Sequence, residues 1–150
     1  MVHYDTCPSP FGNLLIGWEG NAIVSLRLGE TDQPSTSPVS NLAAAQLQEY
    51  FSGTRKNFTF PIRLKGTSFQ LSVWTELTGI PYGQTVTYKD IALAIGNEKA
   101  VRAVGMACNR NPIWITIPCH RVVGTNRKTT GYAGGLSMKE ALLELESNNR

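Results

Sequence analysis

A cysteine followed at once by a histidine and an arginine, Cys119-His120-Arg121, is where reactive side chains crowd most closely in this chain. The thiolate is the nucleophilic form of cysteine, and a free thiol with a pKa of about 8.5 is mostly protonated near neutrality. Cationic neighbours favour ionisation, and here an imidazole and a guanidinium come next in line. Cysteine is also a small hydrophobe that cores bury without reaction, so an inert thiol and an activated one are both open at this point. Side chains alternate between faces in extended chain, so His120 would reach Cys119 only through a bridging water. A papain-like pair, distant in sequence and joined in space, is disfavoured, because the only other histidine is His3. Adjacent Cys and His also lack zinc-ligand spacing, and no metal or other cofactor is expected. Glu146 lies beside the apolar positions Leu142 and Leu145, where a carboxylate either orients a histidine or stays solvated.

At 150 residues and 41% hydrophobic, the chain suits one domain or two small lobes. It contains no run near the ~20 apolar residues of a membrane span, and Met1-Val2-His3-Tyr4-Asp5 lacks the pattern of a signal peptide. A cytoplasmic protein without a membrane partner is expected. Three cysteines (Cys7, Cys108, Cys119) form no CxxC pair and no closed disulfide framework, which favours reduced thiols. The net charge is only +3, but its distribution is uneven. Residues 1–65 balance Arg27, Arg55, Lys56, Arg63 and Lys65 against Asp5, Glu19, Glu30, Asp32 and Glu49. From Lys99 to Lys139 the chain carries Lys99, Arg102, Arg110, Arg121, Arg127, Lys128 and Lys139 and no acid. Such a stretch attracts a polyanion or forms a solvated basic face.

The elements that must position these groups change character along the chain. Val2 to Leu28 reads as two or three short antiparallel strands, broken at Pro8-Ser9-Pro10, Gly12-Asn13 and Glu19-Gly20-Asn21. A Ser/Thr/Pro-rich loop leads to a helix containing Leu42, Ala45, Leu47 and Tyr50, and Phe58-Thr59-Phe60 suggests an edge strand. The boundary between lobes is placed near Arg63 to Gly66, giving domains 1–65 and 66–150. Thr67 and Gln70 have capping-box spacing before Phe69, Val73, Trp74 and Leu77, and Thr87 and Asp90 have it before Ile91, Ala94 and Ile95. Gly96 stops that helix, and Asn97 is placed to cap the next, with Val101, Val104, Gly105 and Cys108 as its stripe, so the pair is a helix-turn-helix candidate. Small residues (Ala100, Ala103, Gly105, Ala107) would let this helix approach another helix or a DNA groove closely. Ile113 to Ile117 is a β-prone run halted by Pro118, which puts Cys119 where a strand ends. Ser137 and Glu140 would open a last helix with Met138, Ala141, Leu142 and Leu145 inward.

Ile117-Pro118-Cys119-His120-Arg121-Val122 resembles the active-site signature of the O6-alkylguanine-DNA alkyltransferase family, the methylated-DNA–protein-cysteine methyltransferases. Ile80-Pro81-Tyr82-Gly83, Thr87-Tyr88, Arg102-Ala103-Val104-Gly105, Asn111-Pro112 and Gly131-Tyr132-Ala133-Gly134-Gly135-Leu136 resemble other family motifs in the family's order. The likeness spans about Phe69 to Glu146, while Ser9-Pro10-Phe11-Gly12-Asn13-Leu14-Leu15 resembles the more variable first lobe. The implied fold is α/β (α+β): a small ribonuclease H-like sheet lobe, then a mainly helical DNA-binding lobe with a winged helix-turn-helix-like motif. The implied activity is DNA repair by direct reversal. The methyl group of O6-methylguanine, or less efficiently O4-methylthymine, would pass from a flipped-out nucleotide to Cys119 once and irreversibly.

The same resemblance assigns roles. His120 would withdraw the Cys119 proton through water, Glu146 would orient the imidazole, Asn111 would brace the cysteine turn and Tyr132 would donate to guanine N3. The helix after Asn97 would enter the minor groove of double-stranded DNA, Arg102 would fill the emptied stack and Tyr88 would press on a phosphate, with Thr87, Lys99, Ala100 and Arg121 completing the contact set. The carbonyls of Cys119 and Val122 would read the exocyclic amine, and Trp114, Cys108 and Ala133 would line the base pocket. Ala133 stands where many relatives have serine and Trp114 where proline is frequent, and the tip Thr125 to Thr129 is unusually basic. The zinc ligands of some relatives have no counterpart around Cys7, and a monomer is expected. A non-reacting lesion sensor and a thiol hydrolase are the competing classes; the sensors lack cysteine at this position.

Overall fold

Turn residues decide where the first strands break. In the computed structural model, which describes residues 1–126 and 131–150, β1 (His3–Cys7), β2 (Leu14–Glu19) and β3 (Ala22–Leu28) form an antiparallel sheet in that order. Gly20, at φ 60°, and Asn21 make the two-residue link between paired Glu19 and Ala22, a place where a left-handed backbone suits the strand twist. Helix α1 (Pro38–Phe51) begins with a capping box between Ser37 and Ser40 and packs on β2 and β3. Its buried face is Val39, Ala43, Leu47 and Tyr50, whereas Leu42 is exposed.

The expected edge strand at 58–60 is absent. Thr59 gives its backbone N–H to Gln46 Oε1 at 2.9 Å and accepts from Gln46 Nε2 at 2.6 Å, so a helix side chain takes the place of a strand partner. The rings of Phe58 and Phe60 lie 5.6 Å apart, and Phe58 packs on Tyr50. In this segment Ile62 pairs with the sheet through a single bridge to Ile23. The run Ile113–Ile117 also departs from expectation. Ile113 bridges Leu26, but Ile115 adopts φ 72° and the chain turns, burying Ile113, Ile115 and Ile117 without a ladder. A positive φ at a β-branched residue is strained, and it ends any strand there.

The chain divides into two compact units, Met1–Leu64 with Pro112–Trp114, and Lys65–Asn111 with Ile115–Arg150. In the second, α2 (Ser68–Leu77) starts on the Thr67–Gln70 capping box and buries Val73, Trp74 and Leu77. The Trp74 indole donates to the Ala107 carbonyl at 2.9 Å, which satisfies a buried polar atom. Next come α3 (Tyr88–Ala94), capped by Thr87 with Asp90, and α4 (Val101–Asn109), which pack on each other. Gly96, at φ 81°, ends the first of the pair. Asn97 does not cap α4: it lies three residues too early, the N-cap is Ala100, and no side chain bonds there. The buried stripe of α4 is Val104, Ala107 and Cys108.

Helix α5 (Leu136–Asn148) starts at Gly135, φ 97°, without the expected Ser137–Glu140 box. It buries Met138, Lys139, Leu142 and Glu146, leaving Ala141 exposed. The strands β4 (Val86–Thr87) and β5 (Val122–Val123) pair in parallel and place the end of the cysteine turn beside the start of α3. Among the described residues no helix is long and apolar enough to cross a membrane.

Candidate active site

Cys119 opens a one-turn 3-10 helix, Cys119–Arg121, rather than ending a strand. Successive side chains in such a turn step by about 120° instead of alternating, so Cys119 and His120 are not forced to opposite faces. Both are buried, His120 completely. Asn111 Nδ2 donates to Ile117 O at 2.7 Å and to Cys119 Sγ at 3.2 Å, one N–H for each. Burial pushes the Cys119 thiol up to about 11, while the Asn111 bond and the charge of Lys139 pull the other way.

His120 Nε2 lies 2.6 Å from Glu146 Oε2. Burial lowers the imidazole pKa below its ordinary 6.5, and Glu146 opposes this only in part. The neutral ring therefore carries its proton on Nε2, facing the carboxylate, and keeps a lone pair on Nδ1. That nitrogen is buried and has no hydrogen-bond partner among the described residues.

Glu146 is held from four directions. Besides His120, it accepts from Arg121 Nε at 2.8 Å, Arg121 Nη2 at 3.0 Å and Gly83 N at 3.1 Å. Burial alone would raise its pKa, yet the bonds from His120 and Arg121 hold the carboxyl well below the usual range. Arg121 completes its fork with Nη1 on Ile80 O at 2.8 Å, and its guanidinium lies 5.6 Å from the Tyr82 ring centre. The motif Ile80-Pro81-Tyr82-Gly83 thus has a mechanical meaning, since its carbonyl, ring and N–H all clamp the Arg121–Glu146 pair. Gly83, at φ 77°, adopts the left-handed backbone there.

The amino-acid sequence of this arrangement matches the family described as 6-O-methylguanine DNA methyltransferase, in its DNA binding domain over residues 68–148 and its ribonuclease-like domain over residues 2–64. A methylated-DNA–protein-cysteine methyltransferase of Methanosarcina barkeri is 46% identical, covering 99% of each chain. The constitutive enzyme of that name from Bacillus subtilis is 46% identical over 97% of this chain and 96% of its own. The chain belongs to the 6-O-methylguanine DNA methyltransferase family. The crystal structure of Mycobacterium tuberculosis OGT in complex with DNA superposes with a TM-score of 0.91 at 44% identity, covering 98% of this chain and 94% of that one.

Within the family's DNA binding domain, the structure brings Cys119, His120, Asn111 and Glu146 together as the sequence suggests. Tyr132 is half-buried, and burial followed by the nearby Cys119 raises its pKa, which keeps the phenol a donor. Cys108 is pushed up to about 12 by burial and then by Cys119, so it stays a thiol. Lys99, Arg102 and Arg110 are exposed, Ala100 is the half-buried N-cap of α4 and Ala133 is exposed. Thr87 is 7% exposed and its hydroxyl accepts from Asp90 N, so it serves the start of α3. Trp114 falls in the first unit, where its backbone N–H donates to Leu26 O at 3.0 Å. Arg127 and Lys128, part of the expected basic stretch, lie outside the described residues.

Arg121 must be reassigned. Expected among the DNA contacts, it is only 7% exposed and spends its guanidinium on Glu146 and Ile80. A fork already bonded to a buried carboxylate is not available to a phosphate. Sequence reasoning also counted Lys139 as surface charge, but it is fully buried, and its Nζ reaches Val122 O at 2.6 Å. The missed signal was helical phase: Lys139, Leu142 and Glu146 share one face at i, i+3 and i+7.

Proposed function

We propose that this protein repairs DNA by direct reversal, taking the methyl group of O6-methylguanine onto Cys119. The observation that carries this reading is the buried pair His120–Glu146, with Nδ1 of the histidine left as a base one residue from a buried cysteine. Sγ gives its proton through a water molecule to His120 Nδ1 and attacks the methyl carbon. The S–C bond forms as the C–O6 bond breaks, and its electron pair returns to the guanine. Tyr132 donates to ring N3 and stabilises that charge. The base takes up a proton from water while His120 gives the sulfur's proton back to water, so guanine is restored; Cys119 becomes a thioether, a poor leaving group, and each molecule reacts once.

DNA enters by the exposed face of α4 in the minor groove of a duplex, with α3 and α4 acting as the helix-turn-helix. Arg102 takes the place of the extruded nucleotide, and Lys99, Ala100 and Tyr88 lie against the backbone. Flipping costs a few kcal/mol and is cheapest for a poorly paired base, which favours alkylated guanine and, more slowly, O4-methylthymine. Val122, Cys108 and Ala133 form the base pocket. The unit made of Lys65–Asn111 and Ile115–Arg150 is the reacting part. The protein acts as a monomer, and its three free thiols suit the reducing cytoplasm.

Intact mass spectrometry after incubation with a duplex containing O6-methylguanine tests the assignment. A gain of one methyl group is expected in the wild type and none in Cys119→Ser. An unchanged wild-type mass, or a gain that survives the substitution, overturns it.

A further inference from the structure

Lysine is among the residues least often buried, yet Lys139 on α5 has no exposed surface. Among the described residues its Nζ meets Val122 O at 2.6 Å, Gly131 O at 3.3 Å and the Tyr88 hydroxyl at 3.4 Å. An ammonium has three N–H donors and no acceptor, so each of these oxygens is a partner for it. The charge also sits 5.7 Å from the Tyr88 ring centre, a distance at which a ring face attracts a cation. Arg121, the other buried cation near the cysteine, is committed to Glu146.

We propose that Lys139 is a positioning residue for the alkyl transfer: its ammonium fixes the Val122 carbonyl, the Gly131 carbonyl and the Tyr88 hydroxyl, and its charge offsets the negative charge left on Cys119 sulfur as the proton departs. The proposal rests on the alkyl-transfer reading above. Its geometric support is that one side chain ties together the residue ending the cysteine turn, the segment leading to Tyr132 and the first residue of α3. Among the described residues, the titratable groups that interact with it include Cys119 and His120 in the turn, Cys108 on α4 and Tyr88 on α3. Burial lowers the Lys139 pKa, and the two thiols raise it again. Reciprocally, Lys139 favours the Cys119 thiolate and disfavours a protonated His120. The first effect favours departure of the sulfur proton; the second opposes its arrival on His120 and keeps the imidazole neutral, with its lone pair available, before the transfer.

The deciding comparison is wild type against Lys139→Met, which keeps an unbranched chain of similar length without charge, and Lys139→Arg, which keeps charge but changes shape. Two rates are measured: carboxamidomethylation of Cys119 by iodoacetamide across neutral and alkaline pH, resolved by peptide mapping, and single-turnover methyl transfer from an O6-methylguanine duplex. In folded Lys139→Met the Cys119 profile moves to higher pH, and its neutral-pH rate falls about tenfold for each pH unit moved. Methyl transfer slows with it. Lys139→Arg keeps the iodoacetamide profile near wild type and slows methyl transfer through geometry. A folded Lys139→Met with wild-type profile and wild-type transfer overturns the proposal. If Lys139→Met does not fold, the wild type decides through nitrogen NMR of Lys139 Nζ: a protonated, exchange-protected ammonium at the reaction pH supports the assignment, and a neutral amine overturns it. Wild-type protein that never takes up a methyl group sinks the alkyl-transfer reading, while the iodoacetamide profile still judges Lys139 on its own.

Discussion

Helices α4 and α5 both draw on the acid-free stretch from Lys99 to Lys139, and they treat its charges in opposite ways. Helix α4 buries Val104, Ala107 and Cys108 and leaves Arg102 in solvent, with Arg110 exposed at its C-cap. Helix α5 turns Lys139 and Glu146 inward on the same face as Leu142. A basic residue is thus a surface feature on one helix and an internal fitting on the other, and helical phase separates the two. The cost of burying α5's charges is met by specific donors and acceptors: Glu146 accepts from His120, Arg121 and Gly83, and Lys139 donates to Val122.

The comparison breaks most visibly at Glu146. Glu146→Ala leaves the Arg121 charge and the His120 N–H buried without their acceptor, which should cost about 3–5 kcal/mol of stability. Urea denaturation is the measurement, and Glu146→Gln, which retains an acceptor oxygen, should recover part of the loss. A change below about 0.5 kcal/mol, the range of ordinary surface substitutions, would remove the distinction between the two helices.

On α4 the expected pattern is reversed. Arg102→Ala should leave stability within about 0.5 kcal/mol of wild type while slowing methyl transfer from duplex DNA roughly tenfold to a hundredfold, in line with a flipping cost of a few kcal/mol. Free O6-methylguanine base needs no flipping, so its reaction should be nearly unaffected. Equal slowing with free base and duplex would place Arg102 in the reaction itself rather than in DNA entry.

Acid sharpens the contrast more gradually. The folded His120 titrates below 6.5, so as pH falls from there the unfolded chain takes up a proton that the folded chain refuses, and stability declines. Glu146 is depressed below 4.5 in the fold; its contribution is complete above that value and is lost as pH falls through its lower folded pKa. Denaturation midpoints should therefore decline below about pH 6.5 and decline further in the carboxylate range. In His120→Gln the first part of this decline should vanish and the second remain.

Much of the architecture was legible because local signals agreed with one another. The capping boxes at Thr67 and Thr87 form as their spacing predicts, and the turn residues after Cys7 and Glu19 break the strands where expected. Failures came where tertiary partners replaced local ones. Thr59 found Gln46 instead of a strand, and the isoleucines from 113 to 117 were buried around a left-handed turn at Ile115 instead of in a ladder. The grouping of Cys119, His120, Asn111 and Glu146 was readable from motif and order. The direction of each charged side chain was not, because a count of basic residues carries no phase.

The sequence by itself determined the nucleophile, its histidine neighbour, the caps that start α2 and α3 and the family to which the chain belongs, because these depend on residue type at short spacing. Only the tertiary structure decided that Arg121 and Lys139 are internal. Twenty-five residues separate Arg121 from Glu146 and seventeen separate Val122 from Lys139. Whether such a charge faces solvent or a carboxylate depends on how distant segments pack around it and on the partner waiting there, which no local pattern encodes.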